Sequence, residues 1–362
     1  MSTGLQEGLR NALARYVEPH LGLALAEAGA IESVETGAGG TVVKIVLGIP
    51  VEGYREALVA ALRAHLADAG VTTQPAFEIS ARIPAFVADP RQRPLPEVGN
   101  VIAVASGKGG VGKSTVAANL ALALAAQGAR TGLLDADIYG PSQPRMMGLA
   151  GQRPTTTDGK RLDPPLGHGI PVMSIGFLID SDQPMVWRGP MVTQALQQML
   201  ADTNWGALDY LIVDMPPGTG DIQLTLTQRV PVSGAVIVTT PQEIALLDAR
   251  KGLQMFRKVA IEVLGVVENM STHICSKCGH EEHVFGAGGG ERLAAQHEAP
   301  FLGSLPLDIR IREQADGGTP TVVADPDGQV ASAFRAIARR MAARLALRSK
   351  DFAHKFPKIV VE

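Results

Sequence analysis

An α/β fold, with a mostly parallel sheet flanked by helices and a small α+β domain ahead of it, is what this chain predicts, on three observations. Short apolar runs recur from Val101 onward with helical stretches between them, the pattern of a parallel sheet. A glycine-rich turn, Gly107 to Lys113, joins the first of those runs to the first helix. The first 84 residues follow a different plan and are closed off by a proline-rich stretch. A length of 362 residues allows two separate cores.

In chain order, the small domain is expected over 1–84. Its elements are a helix through Gln6 to Val17, a strand near Ile31, a turn at Gly37-Ala38-Gly39-Gly40, a strand Thr41 to Leu47, a helix Glu52 to Ala69 and a strand from Val71 to Ile79. Residues 85–99, with Pro90, Pro94 and Pro96 among charges, read as a linker. The larger domain is expected over 100–350 and a tail over 351–362. Its strand-like runs are Val101–Ala105, Gly132–Asp135, Tyr210–Asp214, Ala235–Thr240, Leu264–Glu268 and Phe301–Leu305. In such sheets ligands sit beyond the carboxyl ends of the strands, and the chemistry-bearing segments all fall there.

Composition narrows the function classes. Apolar residues make up 46% and charged residues 19%, as in a soluble globular protein. A formal charge of -3 argues against nucleic acid as a partner, since phosphate binding needs clustered excess Lys and Arg. No apolar run is long enough to span a bilayer, and Met1 to Arg10 lacks the plan of a signal peptide, so a cytoplasmic location is expected.

The segment Val104-Ala105-Ser106-Gly107-Lys108-Gly109-Gly110-Val111-Gly112-Lys113-Ser114-Thr115 fits G-x-x-x-x-G-K-[ST]. Its glycines let backbone N–H groups converge on phosphate oxygens, Lys113 reaches the terminal phosphates, and the Ser114 hydroxyl suits Mg2+. Residues Gly107 through Thr115 are therefore the expected nucleotide-binding set. Lys108 is a second cation where the pattern accepts any residue. The run K-G-G-V-G-K-S-T resembles the deviant Walker A motif of the MinD/ParA class of P-loop NTPases, which includes the nitrogenase iron protein and the Mrp/ApbC-type iron-sulfur carriers. That resemblance implies that Lys108 crosses a dimer interface to the partner's ATP, acting with Lys113 in catalysis.

Leu133-Leu134-Asp135-Ala136-Asp137 puts two carboxylates past a strand. The resemblance assigns Asp137 to orienting the attacking water and Asp135 to the Mg2+ neighbourhood. A buried run ends in Asp214, which is placed to hold a Mg2+ water, and Pro216-Pro217-Gly218 follows as a phosphate-sensing loop. The chain lacks the Asn-Lys-x-Asp pattern of GTPases. Asn269, after the strand Leu264 to Glu268, offers an amide that both donates to and accepts from adenine, so ATP is expected. In the resembling family the Glu-Asn-Met-Ser segment contacts the base and Pro306-Leu307-Asp308 completes that pocket.

The only cysteines are Cys275 and Cys278. With His280 and His283, or His273, they allow a zinc site in one chain; alone they are half of a four-thiolate cluster; a redox pair is a third possibility. The segment and its Phe285-Gly286-Ala287-Gly288-Gly289-Gly290-Glu291 continuation closely resemble the Mrp/ApbC-type carriers over residues 97–345. In them paired C-x-x-C motifs bridge a labile 4Fe-4S cluster between two subunits. Val17-Glu18-Pro19-His20-Leu21-Gly22 with Ala28-Gly29-Ala30-Ile31 resembles the metal-sulfur cluster assembly domain often fused ahead of these ATPases. The cysteine of many such domains is missing here, which points to an adaptor.

The expected protein is thus a homodimeric, slowly hydrolysing, switch-like ATPase that carries a 4Fe-4S cluster to apo-proteins and works with scaffold proteins. ATP and Mg2+ are its cofactors. Nucleic acid and stable membrane association are not expected. The rivals are a MinD/ParA-like positioning switch, a reductase like the nitrogenase iron protein, and a zinc-containing P-loop ATPase. Phe334, Ile337, Met341 and Leu345, interleaved with arginines, form a narrow stripe expected to pack against the sheet rather than on a membrane.

Overall fold

The computed structural model describes residues 2–37, 39–86, 95, 97–178, 189–275 and 277–355; the expected linker and tail lie partly outside the described residues. The chain divides into two compact units. One takes in residues 1–84 with 126–128 and the chain from Ala342 onward; the other takes in 85–125 and 129–341.

In the first unit, helix α1 (Ser2–Ala14) leads to a short antiparallel pair, β1 (Val17–Glu18) and β2 (Leu23–Ala24). Strands β3 (Ile31–Gly37) and β4 (Gly40–Leu47) pair antiparallel, and helix α2 (Arg55–Asp68) carries the chain over to β5 (Ala76–Ala81), parallel to β4. Leu58, Leu62 and Leu66 recur on one face of α2 and are buried with Val43, Ile45 and Leu47 of β4. Val17, expected in the first helix, pairs instead with Ala24. The adjacent Glu18 is fully buried and accepts from the Leu21 N–H at 2.6 Å and the Tyr54 hydroxyl at 2.7 Å. A buried carboxylate satisfied in this way stops the helix and fixes the turn.

In the second unit the elements in order are β6 (Val101–Ala105), α3 (Lys113–Ala126), β7 (Thr131–Asp135), α4 (Gln143–Met146), β8 (Leu166–Gly167), β9 (Ile170–Ser174), α5 (Gly189–Asp202) and β10 (Tyr210–Asp214). There follow α6 (Asp221–Arg229), β11 (Gly234–Thr239), α7 (Glu243–Lys258), β12 (Val263–Glu268), β13 (His273–Ile274), β14 (Glu281–Glu282), α8 (Gly289–Gln296), β15 (Phe301–Ser304), α9 (Ile309–Asp316), α10 (Thr321–Ala324) and α11 (Gln329–Lys355). The main sheet runs β15-β12-β11-β6-β10-β7-β9-β8, parallel except for the β8–β9 edge pair.

The mostly parallel P-loop sheet read from the apolar runs is therefore present, each expected strand within a residue of its place. Strands β8 and β9 extend it beyond the expectation. The central strands are buried from end to end, as a sheet covered on both sides requires. The order reverses at β6, which lies between β10 and β11, so the crevice beyond its carboxyl end is the topological switch point. In α11, Phe334, Ile337, Met341 and Leu345 are at most 2% exposed, which removes the stripe as a membrane-facing surface.

Candidate functional site

The turn between β6 and α3 is shaped by close approaches that only glycine permits. A Cβ on Gly107 would lie 2.1 Å from the Asp248 carbonyl carbon of α7. Gly112 has φ +81°, and a Cβ there would lie 2.2 Å from the Asn269 amide nitrogen. A Gly112→Ala substitution is accordingly expected to displace that amide, distort the loop and weaken nucleotide binding at least tenfold, measurable by equilibrium titration with a fluorescent nucleotide. The first turn of α3 begins at Lys113, so its N–H groups and positive dipole end face the loop.

Lys113 is buried, and its Nζ makes an ion pair with Asp214 and a 3.2 Å contact with the Ser114 hydroxyl. Asp214 ends β10 directly opposite Asp135, the last residue of β7. Both carboxylates are fully buried. Asp135 accepts from the backbone N–H groups of Asp137 at 3.2 Å, Ser142 at 3.0 Å and Gln143 at 3.1 Å, and from the Ser174 hydroxyl at 3.1 Å. It thereby holds the loop between β7 and α4 closed on the sheet. Asp137, half-buried in that loop, completes the acidic group.

Burial, with the Asp214 charge added to it, pushes the Asp135 carboxyl up to about 7. Burial likewise raises Asp137, and the Lys113 ammonium draws it part of the way back. For Asp135 the folded value lies above the unfolded one. Its contribution to stability is therefore full below about pH 4 and lost as pH rises through about 7. Thermal midpoints measured without nucleotide are expected to fall over that window, and Asp135→Asn is expected to flatten the fall.

The donor set fits a hydrated Mg2+: a hydroxyl at Ser114, a carboxylate at Asp214, and the Oε1 of Gln143, buried without a partner among the described residues. The loop after Asp214 is tied to the phosphate loop, because Gly218 N–H donates to Ser106 carbonyl at 3.0 Å and Met215 N–H to Val104 carbonyl at 3.0 Å. Lys108 is half-buried beside exposed Gly109 and Gly110; among the described residues it has no ion-pair partner. Ser106 Oγ donates to its carbonyl at 2.9 Å.

At the end of β12, neighbouring side chains serve opposite sides. The Asn269 amide donates to the Val111 carbonyl of the phosphate loop at 2.9 Å. One N–H of the amide is thereby engaged by the loop. The preceding Glu268, 1% exposed, accepts from the Gly288 and Gly290 N–H groups at the start of α8. A Cβ on Gly290 would lie 2.9 Å from that of Glu268, which accounts for the glycine at that position. Met270, next in the chain, has φ +59°, a strained turn immediately before the cysteine segment.

That segment is a small hairpin, β13 paired antiparallel with β14. Its base is pinned by Ser271, whose N–H and hydroxyl both donate to Leu305 carbonyl at 3.0 Å, and by the Leu307 N–H on Thr272 carbonyl at 2.7 Å. Its tip carries Cys275, half-buried, and Cys278, exposed. The N–H groups of Lys277 and Cys278 and the Cys278 side chain hold the Cys275 thiol below its ordinary pKa, with His273 adding to the effect. Such surroundings favour the thiolate, the form that binds metals and that reacts as a nucleophile. His273 Nδ1 contacts Leu307 carbonyl and His283 Nδ1 contacts Ser271 carbonyl, each at 3.0 Å. Among the described residues no three or more His, Cys, Asp or Glu gather as a metal site, so the single-chain zinc set that the spacing allows is not assembled.

The structure thus brings Lys113, Ser114, Asp135, Asp137, Asp214 and Asn269 to one end of the sheet, with Cys275 and Cys278 on a hairpin rooted beside Asn269. Gln143 was not foreseen and carries no local motif. Glu268 belongs to the Glu-Asn-Met-Ser segment, but its bonds to Gly288 and Gly290 were not foreseen, although its charge closes an apolar strand twenty residues before a glycine run.

A family model described as ParA, NUBPL iron-transfer P-loop NTPase, matches residues 97–342. The iron-sulfur cluster carrier protein of Pseudomonas fragi is 64% identical over 245 residues, covering 67% of this chain and 85% of that protein. The protein of the same name from Synechocystis sp. is 48% identical over 341 residues, covering 91% and 95%. Among solved structures, a nucleotide-binding protein from Archaeoglobus fulgidus in complex with ADP is 40% identical with a TM-score of 0.57, over 64% of this chain and 90% of that one.

Proposed function

Because the chain belongs to the ParA family of NUBPL-type iron-transfer P-loop NTPases, we propose that it carries an iron-sulfur cluster between two copies of itself and delivers it to apo-proteins under control of ATP. The observation that carries this reading is the single strand end at which Asn269 holds the phosphate loop while Glu268 holds the start of α8, the helix that follows the cysteine hairpin. Nucleotide and cargo are then neighbours across two consecutive residues.

Each chain supplies two thiolates, and a 4Fe-4S cluster takes four, so a symmetric dimer is the simplest complete holder. Exposure of Cys278 suits a cargo that must leave. Two phosphate loops meeting across the same axis would bring each Lys108 to the other chain's ATP. Lys113 binds the terminal phosphates once it leaves Asp214, and Asp137 orients the attacking water. Ser114 and Asp214 would hold Mg2+, which supplies charge neutralisation between the phosphates when bound, with Asp135 keeping the adjoining loop in place. Hydrolysis by such a switch is slow. The small N-terminal unit serves as an adaptor toward scaffold or recipient proteins.

The test is anaerobic reconstitution with iron and sulfide, metal analysis per dimer, and transfer to an apo-acceptor with and without ATP. One 4Fe-4S cluster per dimer, passed on at a rate that nucleotide alters, is expected. Stoichiometric zinc with no sulfide-to-iron charge-transfer band would overturn the reading.

A further inference from the structure

Gln143 is fully buried at the first position of α4, and its side chain joins the Asp214 carboxylate to the backbone of Ser114. Its Nε2 donates to Asp214 Oδ2 at 2.9 Å and to the Ser114 carbonyl at 3.0 Å. Both partners are acceptors, which settles the orientation of the amide: reversed, its carbonyl oxygen would face two lone-pair groups. The Oε1 is then left inside the protein with no partner among the described residues. A buried acceptor of this kind calls for a donor. Phosphate oxygens without protons cannot supply one, whereas water polarised by a divalent cation can.

Resting on the nucleotide reading above, we infer that Gln143 is a positioning residue of the Mg2+–nucleotide site: its amide nitrogen fixes Asp214, and its oxygen receives a hydrogen bond from the hydrated cation. The same residue's N–H is bonded to Asp135 at 3.1 Å, so the cation also stabilises the closed form of the loop between β7 and α4. Loss of such an outer partner commonly lowers metal affinity about 10–100-fold.

The experiment measures fluorescent ADP and ATP affinities in Mg2+ and in EDTA for the full-length parent, Gln143→Met and Gln143→Glu, with Mn2+ binding followed by electron paramagnetic resonance. The methionine variant is expected to lose about tenfold of the Mg2+-dependent gain in affinity and to bind Mn2+ more weakly beside ADP, while keeping its EDTA affinity within about twofold. The glutamate variant retains an acceptor and is expected to recover part of the Mg2+ effect. Nucleotide binding by the parent reports on the nucleotide reading; the ratio of Mg2+ to EDTA affinities reports on Gln143. Equal losses with and without the cation would overturn the inference and make the Lys113 ammonium the missing donor; so would an unchanged ratio in both variants.

Discussion

Replacing Lys108 by alanine is expected to lower the rate of ATP hydrolysis by about three orders of magnitude while leaving nucleotide affinity within a few-fold of the parent, because a trans-acting cation stabilises charge that develops only in the transition state. The side chain stands at the rim of the phosphate loop between Gly107 and the exposed Gly109, and no ion pair among the described residues occupies it. Lys113 differs in kind. It is buried against Asp214 and Ser114, so Lys113→Ala should abolish binding itself. Single-turnover hydrolysis and equilibrium binding, measured side by side, separate the two.

Mixing subunits tests whether the lysine acts across an interface. A Lys108→Ala chain paired with an Asp137→Asn chain retains one composite site in which Asp137 comes from one copy and Lys108 from the other. Recovery of hydrolysis on mixing two inactive variants is the expected result. If both stay inactive together, or if Lys108→Ala turns over normally, the trans assignment is wrong.

The second large effect concerns the cysteines. Cys275→Ser or Cys278→Ser is expected to reduce cluster content after reconstitution to background and to abolish transfer, since a dimer would then offer two thiolates where a 4Fe-4S cluster takes four. Nucleotide binding should survive, because both residues lie at the tip of β13–β14, far from the phosphate loop in the chain. The two substitutions need not be equal. Cys275 has two backbone N–H groups stabilising its thiolate and Cys278 is the exposed member, so residual weakly bound iron is expected in Cys278→Ser before Cys275→Ser. Full cluster occupancy in either variant would exclude the bridging arrangement.

Much of the site was legible because its signals are local. The phosphate loop is one continuous segment; Asp135, Asp137 and Asp214 each stand at the carboxyl end of an apolar run; and Cys275 and Cys278 share one turn. A strand-to-turn boundary marks each of them, and periodicity finds such boundaries. The N-terminal unit was less legible at its first turn. Val17 continues an apolar periodicity, but burial of Glu18 against Tyr54 draws the chain into a short strand pair instead. Strands β8 and β9 escaped notice because β8 has only two residues and β9 contains a proline. Asn269 shows the limit most clearly: its amide takes the Val111 carbonyl as a partner, 158 residues away in the chain, and no local pattern announces that contact.

By itself, then, the sequence determined the parallel sheet, the phosphate loop with its second lysine, the two acidic strand ends and the paired cysteines. The sheet shows in the recurrence of short apolar runs, and each of the other features is written within a dozen residues, where backbone geometry and side-chain chemistry act together. Only the tertiary structure decided that Asp135 and Asp214 face each other across neighbouring strands. It alone revealed that Gln143 reaches Asp214 over a separation of 71 residues. It alone showed Glu268 and Asn269 dividing between the start of α8 and the nucleotide loop. Those contacts arise from strand order and register, which close the chain over long separations, and no local pattern in a single sequence encodes which distant polar atoms will be buried together.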